Sequence, residues 1–537
     1  MTKALLVVPH FWDPVCLPLG ICSLKAYAEQ FGHKVELLDL NTVGSIFRFQ
    51  YLYFQEVMRQ FPRWKRWNIE RNATEMLAMH QVLYLTARRS RRYGIMVAEI
   101  MNVLDEPLSR VIDRLNVHRF DDLFDQLYAN VKSVVQGKLA ETQPDVVGTS
   151  LFNSTWAGSL FVANLAKALQ PRVRTVVGGP GPIMGITADA REVQRFFGAH
   201  ETIDFFVVGE GERAFLEILE NPGRPPGIIV ARDLAEAALD LTAMPPPDYG
   251  ELNPDLYLQL SVASSRGCPF ECSFCAETVF WEGFRKTSKN RLFETVQGLA
   301  ERHNRHSFYI CDSLSNAVIG PLTDRVARAD RPYRFDCYLR ADKSCVDAAK
   351  IRAWRAGGLY RARLGLESGS QRVLDDMVKM TTPDLMSRSL HALAGSGVMT
   401  STLWVICYPG ETPSEFQQTL DFIREHRNVI YQADAWLFQY HPSGLAHSNE
   451  LDRSFGSRLR FSDEVNEVFR VAPQMIDRSL SAEERFHRLE QFVDVLEADH
   501  IPCPYGVYEW QEAERRWQDM GRDAGWTLER SMMALNG

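Results

Sequence analysis

The sequence lacks any membrane-spanning stretch: no segment approaches the ~18 consecutive apolar residues that a spanning helix needs. The opening MTKALLVVPHFWDP breaks its apolar run with proline and polar residues too early for a signal-peptide core. A basic excess is also missing. Sixty Lys and Arg against 68 Asp and Glu give a net charge of −8, so no global field invites nucleic acid. Low-complexity tracts are few, and no repeat of solenoid type appears. Cysteine is sparse, ten in 537 residues, and without a secretory signal clustered thiols suggest metal rather than disulfides. These absences fit a cytoplasmic globular chain. With 45% hydrophobic and 24% charged residues, it has ample material for the cores of two or three domains.

Hydrophobic patterning divides the chain. KALLVVPH, PLGICSLKAYAEQFGH and KVELLDLN read strand, helix, strand, and PDVVGTS, RTVVGGP and IDFFVVGEGE continue the series. Five strands near 3–8, 35–39, 145–150, 174–178 and 204–208 suffice for a doubly wound α/β domain over 1–43 and 141–242. Residues 44–140, rich in aromatics and helix formers, read as a helical insertion. Within it ARRSRRYG (87–94) is either a basic contact surface or a solvated helix face. Proline marks RPPG and AMPPPDYGELNP, and residues 243–256 are expected to be a linker. Strands at 257–263, 307–311, 333–339, 361–366, 399–407 and 433–440 then alternate with helices. Six βα units over 257–449 suggest a partial (β/α)6 barrel of TIM type, with a helical region over 450–537.

SSRGCPFECSFCAE (264–277) sets Cys268, Cys272 and Cys275 at intervals of four and three, just past the first barrel strand. Barrel enzymes keep their active sites at that end. Three thiolates on one loop can ligate three corners of an iron–sulfur cube and leave the fourth iron open. Structural zinc is the alternative, with Cys311 or His441 as fourth ligand. The other cysteines (16, 22, 311, 337, 345, 407 and 503) read as small buried residues.

CxxxCxxC with Phe274 beside the last cysteine resembles the radical S-adenosylmethionine enzymes. YICDSL (309–314), YLRAD (338–342), RLGLESGSQRVLDDMVKMTT (363–382), WVICYPGETPSEF (404–416) and FQYHPSGL (438–445) fit the same family, in order along the barrel. The resemblance implies that the three cysteines hold a 4Fe-4S cluster and that S-adenosylmethionine chelates the open iron. It places Arg340 at the cofactor's carboxylate, Glu367 and Ser368 near its ribose and amino acid portion, backbone around Phe274 and Ile406 near adenine, and Asp312 in the same site. A structural ion pair at the barrel rim is the plainer account of Arg340 and Glu367.

The loops PHFWDPVCLPLG, TSLFNSTW, VGGPGPIMG and VGEGERAF end the strands of the first domain, where doubly wound sheets bind ligands. In this order, ahead of a CxxxCxxC barrel, they look like the cobalamin domain of class B members of that family. Ser150, Asn153, Ser154, Gly178, Gly179, Gly209, Glu210 and Gly211 are the implied cobalamin contacts. One departure stands out: the DxHxxG motif, whose His ligates cobalt, does not occur. His10 and His33 lie in this domain without the preceding Asp, so the nucleotide tail is expected to be buried with no His ligand.

The combination implies an enzyme that methylates an unactivated carbon of a small biosynthetic intermediate or a peptide, served by a reductant such as flavodoxin or ferredoxin. Rearrangement, cyclisation or epimerisation with cobalamin in a non-methylating role is the alternative within enzymes. A non-enzymatic iron–sulfur or corrinoid-binding protein is the alternative outside them, although a carrier ligates every iron with cysteine. No Ser/His/Asp or Cys/His arrangement suggests a side-chain nucleophile, so no catalytic side chain is assigned. The insertion and the tail, with Trp64, Trp67, Tyr84, Trp510 and Trp517, are candidates for the substrate chamber.

Overall fold

The computed structural model describes residues 1–12, 15–62, 66–102, 107–180, 191–234, 238–275, 277–281, 283–438, 457–469, 475–477, 479–503 and 507–522. Contacts divide the chain into two units, one of residues 1–239, 244–253 and 459–473, the other of 240–243, 254–458 and 474–537.

The first unit is built on β1 (Lys3–Val8), β2 (Lys34–Asp39), β3 (Val146–Ser150), β4 (Arg174–Gly178), β5 (Phe205–Val208) and β6 (Gly227–Val230). All pair in parallel in the order β2-β1-β3-β4-β5-β6. The order reverses between β1 and β3, the switch point at which such sheets bind ligands. β1 is apolar and buried from Ala4 to Val8, as a strand covered on both faces must be. The sixth strand corrects the sequence reading of five: Gly227, the end of the RPPG stretch read as linker, opens β6 and pairs with Phe205. Four residues after two prolines carry too little pattern to announce a strand.

Helices Gly44–Gln60, Arg66–Ala87, Tyr93–Met101, Leu108–Arg114 and Val117–Thr142 fill the insertion. They share one core with the sheet, in which Phe49, Tyr53, Leu83 and Phe124 join Leu5, Val7, Val147 and Val177. Phe461, Val465 and Phe469, from the tail, enter this same core. The tail expected over 450–537 is thus not one body. Tyr84 is a core residue that donates to Asp125. Arg88 and Arg92 of the basic stretch are exposed, paired with Asp125 and Glu464, which favours the solvated-face reading. The proline-rich 243–256 stretch is strapped down: Glu251 takes Lys25 Nζ at 2.9 Å and Leu37 N at 2.7 Å, and Tyr249 is buried.

In the second unit β7 (Leu260–Val262) is followed by the short antiparallel pair β8 (Ser265–Arg266) and β9 (Arg285–Lys286). Then come β10 (Ser307–Ile310), β11 (Arg334–Leu339), β12 (Leu359–Glu367), β13 (Met399–Ile406) and β14 (Gln432–Leu437). β7 and β10 to β14 pair in parallel and in chain order, the sheet of a six-stranded partial barrel. Four helices between them, Lys289–His303, Ala348–Ala356, Pro383–Gly395 and Pro413–Glu425, begin on side-chain caps. Thr412 and Glu415 bond reciprocally, with Pro413 at the first helical position. The tail helices Ala482–Ala498 and Val507–Asp519 join this unit: Arg488 Nη1 donates to Glu411 Oε2 at 3.2 Å, and Arg516 Nη1 to Ile430 O at 2.8 Å. Trp517 is fully buried edge-on to Tyr431, so it is core rather than chamber wall. Trp64 and the side chains of Trp67 and Trp510 lie outside the described residues.

Strand alternation sends Phe335, Cys337, Ala362 and Leu364 one way and Asp336, Arg361 and Arg363 the other. Arg361 and Arg363 both donate to the Asp336 carboxylate, and the Arg363 guanidinium stands 5.0 Å from the Tyr309 ring. Burial pushes the Asp336 carboxyl up, but the two guanidiniums outweigh it and hold the pKa below the ordinary value. Asp336→Asn leaves two buried guanidiniums without their carboxylate. The expected cost is about 3–5 kcal/mol, measured by comparing urea unfolding of the two proteins. That stability is present above the ordinary carboxylate pKa and fades as pH falls through the depressed one, so the two curves converge at low pH.

Candidate functional site

The cysteine loop leaves β8 and returns on β9, where Ser265 pairs with Lys286 and Arg266 with Arg285. Gly267 opens it at φ +76°, and a Cβ there would fall 2.1 Å from the Gly283 carbonyl oxygen. Only glycine closes the loop this tightly. Asp312, at the end of β10, secures the root: its buried carboxylate accepts from Ser264 N at 2.7 Å, from Ser265 N at 2.9 Å and from the Ser264 hydroxyl. Those bonds engage Asp312 at the root of the loop. Asp312 holds the loop.

The middle of the loop is clasped by the segment after the fourth barrel strand. Ser273 N donates to Met377 O at 3.0 Å, and the Ser273 and Tyr408 hydroxyls meet at 2.8 Å, with Tyr408 also donating to Asp376 O. Phe274 packs against Val373, Met377, Val405, Tyr408 and Phe438. Cys272 is buried, while Cys268 and Cys275 are partly exposed. Burial pushes the Cys275 thiol up to about 11, and raises Cys268 against the pull of Arg340 and Lys379. No three His, Cys, Asp or Glu side chains among the described residues converge on one metal ion.

Arg340 lies against the cysteine loop. Its Nη1 lies 3.7 Å from Cys272 Sγ and its guanidinium 3.9 Å from the Phe270 ring centre. The residue is 6% exposed, and its Nη2 has no hydrogen-bond partner among the described residues. A buried donor left open is costly unless a ligand takes it, and a carboxylate fits a guanidinium best. Glu367 ends β12 at φ +68° and receives Lys379 Nζ on Oε1 at 2.6 Å. The rim ion pair foreseen for Arg340 and Glu367 is therefore made by Glu367 with a residue that sequence reasoning passed over. Lys379 sits inside a quoted motif, yet a lone Lys carries no spacing signal. Ser368 and Ile406 are less free: the Ser368 hydroxyl accepts from Ser370 N and meets Thr419, and the Ile406 carbonyl accepts from Phe438 N.

In the first unit the carboxyl ends of β3 and β4 bring Ser150, Gly178 and Gly179 together. Leu151 N donates to Gly178 O at 2.7 Å. Gly179 has φ +124°, and a Cβ there would lie 2.8 Å from Leu151 O and 3.1 Å from Ser150 Oγ. Thr149 Oγ1, beneath, is buried with no partner among the described residues. Asn153 is exposed and Ser154 half-buried on the loop after β3. Gly209 and Glu210 lead into the helix Gly211–Glu220 after β5. Hydroxyls, an amide and open backbone at a switch point suit a large ligand edged with amides and a phosphate. The two histidines are engaged elsewhere. His10 is fully buried with Nε2 3.2 Å from Gln81 Oε1, its pKa lowered to about 4 by burial, and His33 Nδ1 accepts from Thr2 N.

Residues 262–423 match the Radical SAM superfamily, and residues 115–219 match the B12 binding domain. The chain thus carries a radical S-adenosylmethionine domain and a B12 binding domain, the pair found in cobalamin-dependent radical S-adenosylmethionine enzymes. Its cofactors are a 4Fe-4S cluster, S-adenosylmethionine and cobalamin. The B12 match begins within the insertion and includes its last helix, so that helix goes with the sheet. The chain is 23% identical over 318 residues to the anaerobic magnesium-protoporphyrin IX monomethyl ester cyclase of Rubrivivax gelatinosus, covering 54% of this chain and 56% of that one. It is 26% identical over 340 residues to the cobalamin-dependent radical SAM methyltransferase TokK of Streptomyces tokunonensis, covering 56% and 47%. It thus spans about half the length of these curated relatives. Among solved structures, the radical S-adenosylmethionine methyltransferase TsrM from Kitasatospora setae, with cobalamin and [4Fe-4S] cluster bound, shares the fold. The TM-score is 0.62 at 14% identity, over 97% of this chain and 99% of that one.

Two outcomes follow for the cofactors. Alanine at Cys268, Cys272 or Cys275 takes one thiol from the loop, and each variant is expected to lose its reconstituted iron and visible absorbance. Gly179→Val forces a branched side chain into a left-handed turn against Leu151. It is expected to lose bound corrinoid on gel filtration while keeping its iron.

Proposed function

We propose that this chain methylates an unactivated carbon of a small biosynthetic intermediate or a peptide, with Cys268, Cys272 and Cys275 as the cluster ligands. One observation carries the reading: a single chain joins a site for the methyl donor S-adenosylmethionine to a unit for the methyl carrier cobalamin. When bound, the cluster supplies the electron that cleaves S-adenosylmethionine, and cobalamin carries the methyl group. The side chains described at the cluster mouth suit that division. Arg340 offers an open guanidinium nitrogen to a carboxylate, Glu367 offers a carboxylate to hydroxyls, and Phe274 and Tyr408 pack behind the cysteine loop. These residues bind and orient rather than exchange protons. The TokK relative, named as a methyltransferase, supports the reading.

Ring closure without methyl transfer is the second reading, favoured by the relative named as a cyclase. Both readings call for a reductant such as flavodoxin or ferredoxin. They separate in one experiment. The reconstituted chain, hydroxocobalamin, a chemical reductant and methyl-labelled S-adenosylmethionine are incubated anaerobically. Methylation is expected to move label into the corrinoid fraction with release of S-adenosylhomocysteine. Label that stays in S-adenosylmethionine, or leaves only as methionine beside 5′-deoxyadenosine, sinks methyl transfer and leaves ring closure standing.

A further inference from the structure

Lys379 is buried to 8% exposure at the mouth of the barrel, a placement that a long cationic side chain adopts only for a partner. Its Nζ donates to Glu367 Oε1 at 2.6 Å and stands 5.6 Å from the ring centre of Phe274, the neighbour of Cys275. One ammonium thus bonds the carboxylate that ends β12 and faces a ring of the loop that carries the three thiols.

Three further features are shaped around this pair. Gly365 leaves a hole for it: a Cβ there would fall 2.4 Å from Glu367 Oε1 and 3.1 Å from Lys379 Nζ. The flanking residues Val378 and Met380 hold φ of +53° and +51°, and Glu367 itself holds +68°. Side-chain-bearing residues keep such angles only where their surroundings over-determine them. Met377, two positions earlier, accepts the Ser273 N–H of the cysteine loop, so the same short segment grips the loop twice. Glu367 Oε2, by contrast, takes no hydrogen bond from a described residue.

We propose that Lys379 is a positioning residue for S-adenosylmethionine. By fixing Glu367 Oε1 and seating Phe274, it sets the free Oε2 at a constant distance from the cysteine loop, as an acceptor for the cofactor's hydroxyls. This rests on the reading that the mouth holds a cluster and S-adenosylmethionine. A merely structural lysine would secure the loop and leave cofactor affinity to Arg340.

The test uses the full chain with reconstituted cluster, as wild type, Lys379→Met, Lys379→Arg and Gly365→Ala. Iron content, S-adenosylmethionine affinity by anaerobic calorimetry, and the shift in the reduced cluster's electron paramagnetic resonance on adding S-adenosylmethionine are read for each. Lys379→Met is expected to keep its iron, bind S-adenosylmethionine about tenfold or more weakly and lose the spectral shift. Lys379→Arg should recover part of the affinity. Gly365→Ala, which keeps both charges but fills their hole, should resemble Lys379→Met. A Lys379→Met protein within about twofold of wild type, with the shift intact, overturns the proposal. So does one that loses its iron, because the lysine then serves the loop alone. A wild type that holds its cluster and binds no S-adenosylmethionine overturns the underlying reading instead.

Discussion

Three thiols on one loop can share a cluster only if the loop is held from outside, because short turns do not specify where each sulfur points. In this barrel the holding is done mostly by groups that are not themselves ligands. Asp312 takes two backbone N–H groups and a hydroxyl at the root. Hydrogen bonds to a charged group contribute about 1.5–3 kcal/mol each, enough to make detachment of that root rare. The β8–β9 pair closes the other end, and Ser273, gripped by Met377 O and Tyr408, fixes the middle. A loop tied at root, middle and exit has little entropy left to lose when metal binds.

The same logic governs the charges. Arg340 and Lys379 are both buried beside the cysteines, yet they are neutralised differently. Lys379 has its carboxylate in the protein, whereas Arg340 keeps a nitrogen open and leans on the Phe270 ring. A cation that is already paired fixes geometry; a cation with an open donor binds. An anionic group arriving at Arg340 meets a side chain held against the Phe270 ring, on backbone fixed by Asn316, which accepts Arg340 N at 2.8 Å. Little reorganisation is left for the moment of binding.

The strands and the cysteine spacing were legible because they repeat: parallel strands are apolar runs, and CxxxCxxC is a local count. β6 was hidden by its four residues, and β8 and β9 by having two each. The roles of Asp312 and Lys379 were illegible for a different reason. Asp312 sits in a motif at the barrel mouth, where a carboxylate for the loop and one for the cofactor read alike. Only the partners of its oxygens tell them apart. Lys379 contributes through Glu367, twelve positions away, across a hole at Gly365 that no pattern of side chains announces. Sequence reasoning finds residues that act by type and spacing. It passes over residues that act by filling a space.

The contact units cut across the expected boundaries for a related reason. Proline at 245–247 and the polar residues around it have the composition of a linker, yet Asp248 and Glu251 are the counter-charges of Lys25, itself almost buried. Glu29 pairs with the same ammonium at 2.7 Å, and each carboxylate offsets part of its burial, so Asp248 and Glu251 tie the stretch to the first unit. The tail is bound in the same way. Phe461, Val465 and Phe469 enter the core that the insertion shares with the sheet, with Phe469 5.6 Å from the Trp156 ring. A chain cut between residues 243 and 247 would therefore lose both Asp248 and Glu251 from Lys25 and three aromatic or branched core residues. The first unit, though it is the cobalamin-binding half by sequence order, is completed by residues that come after the barrel.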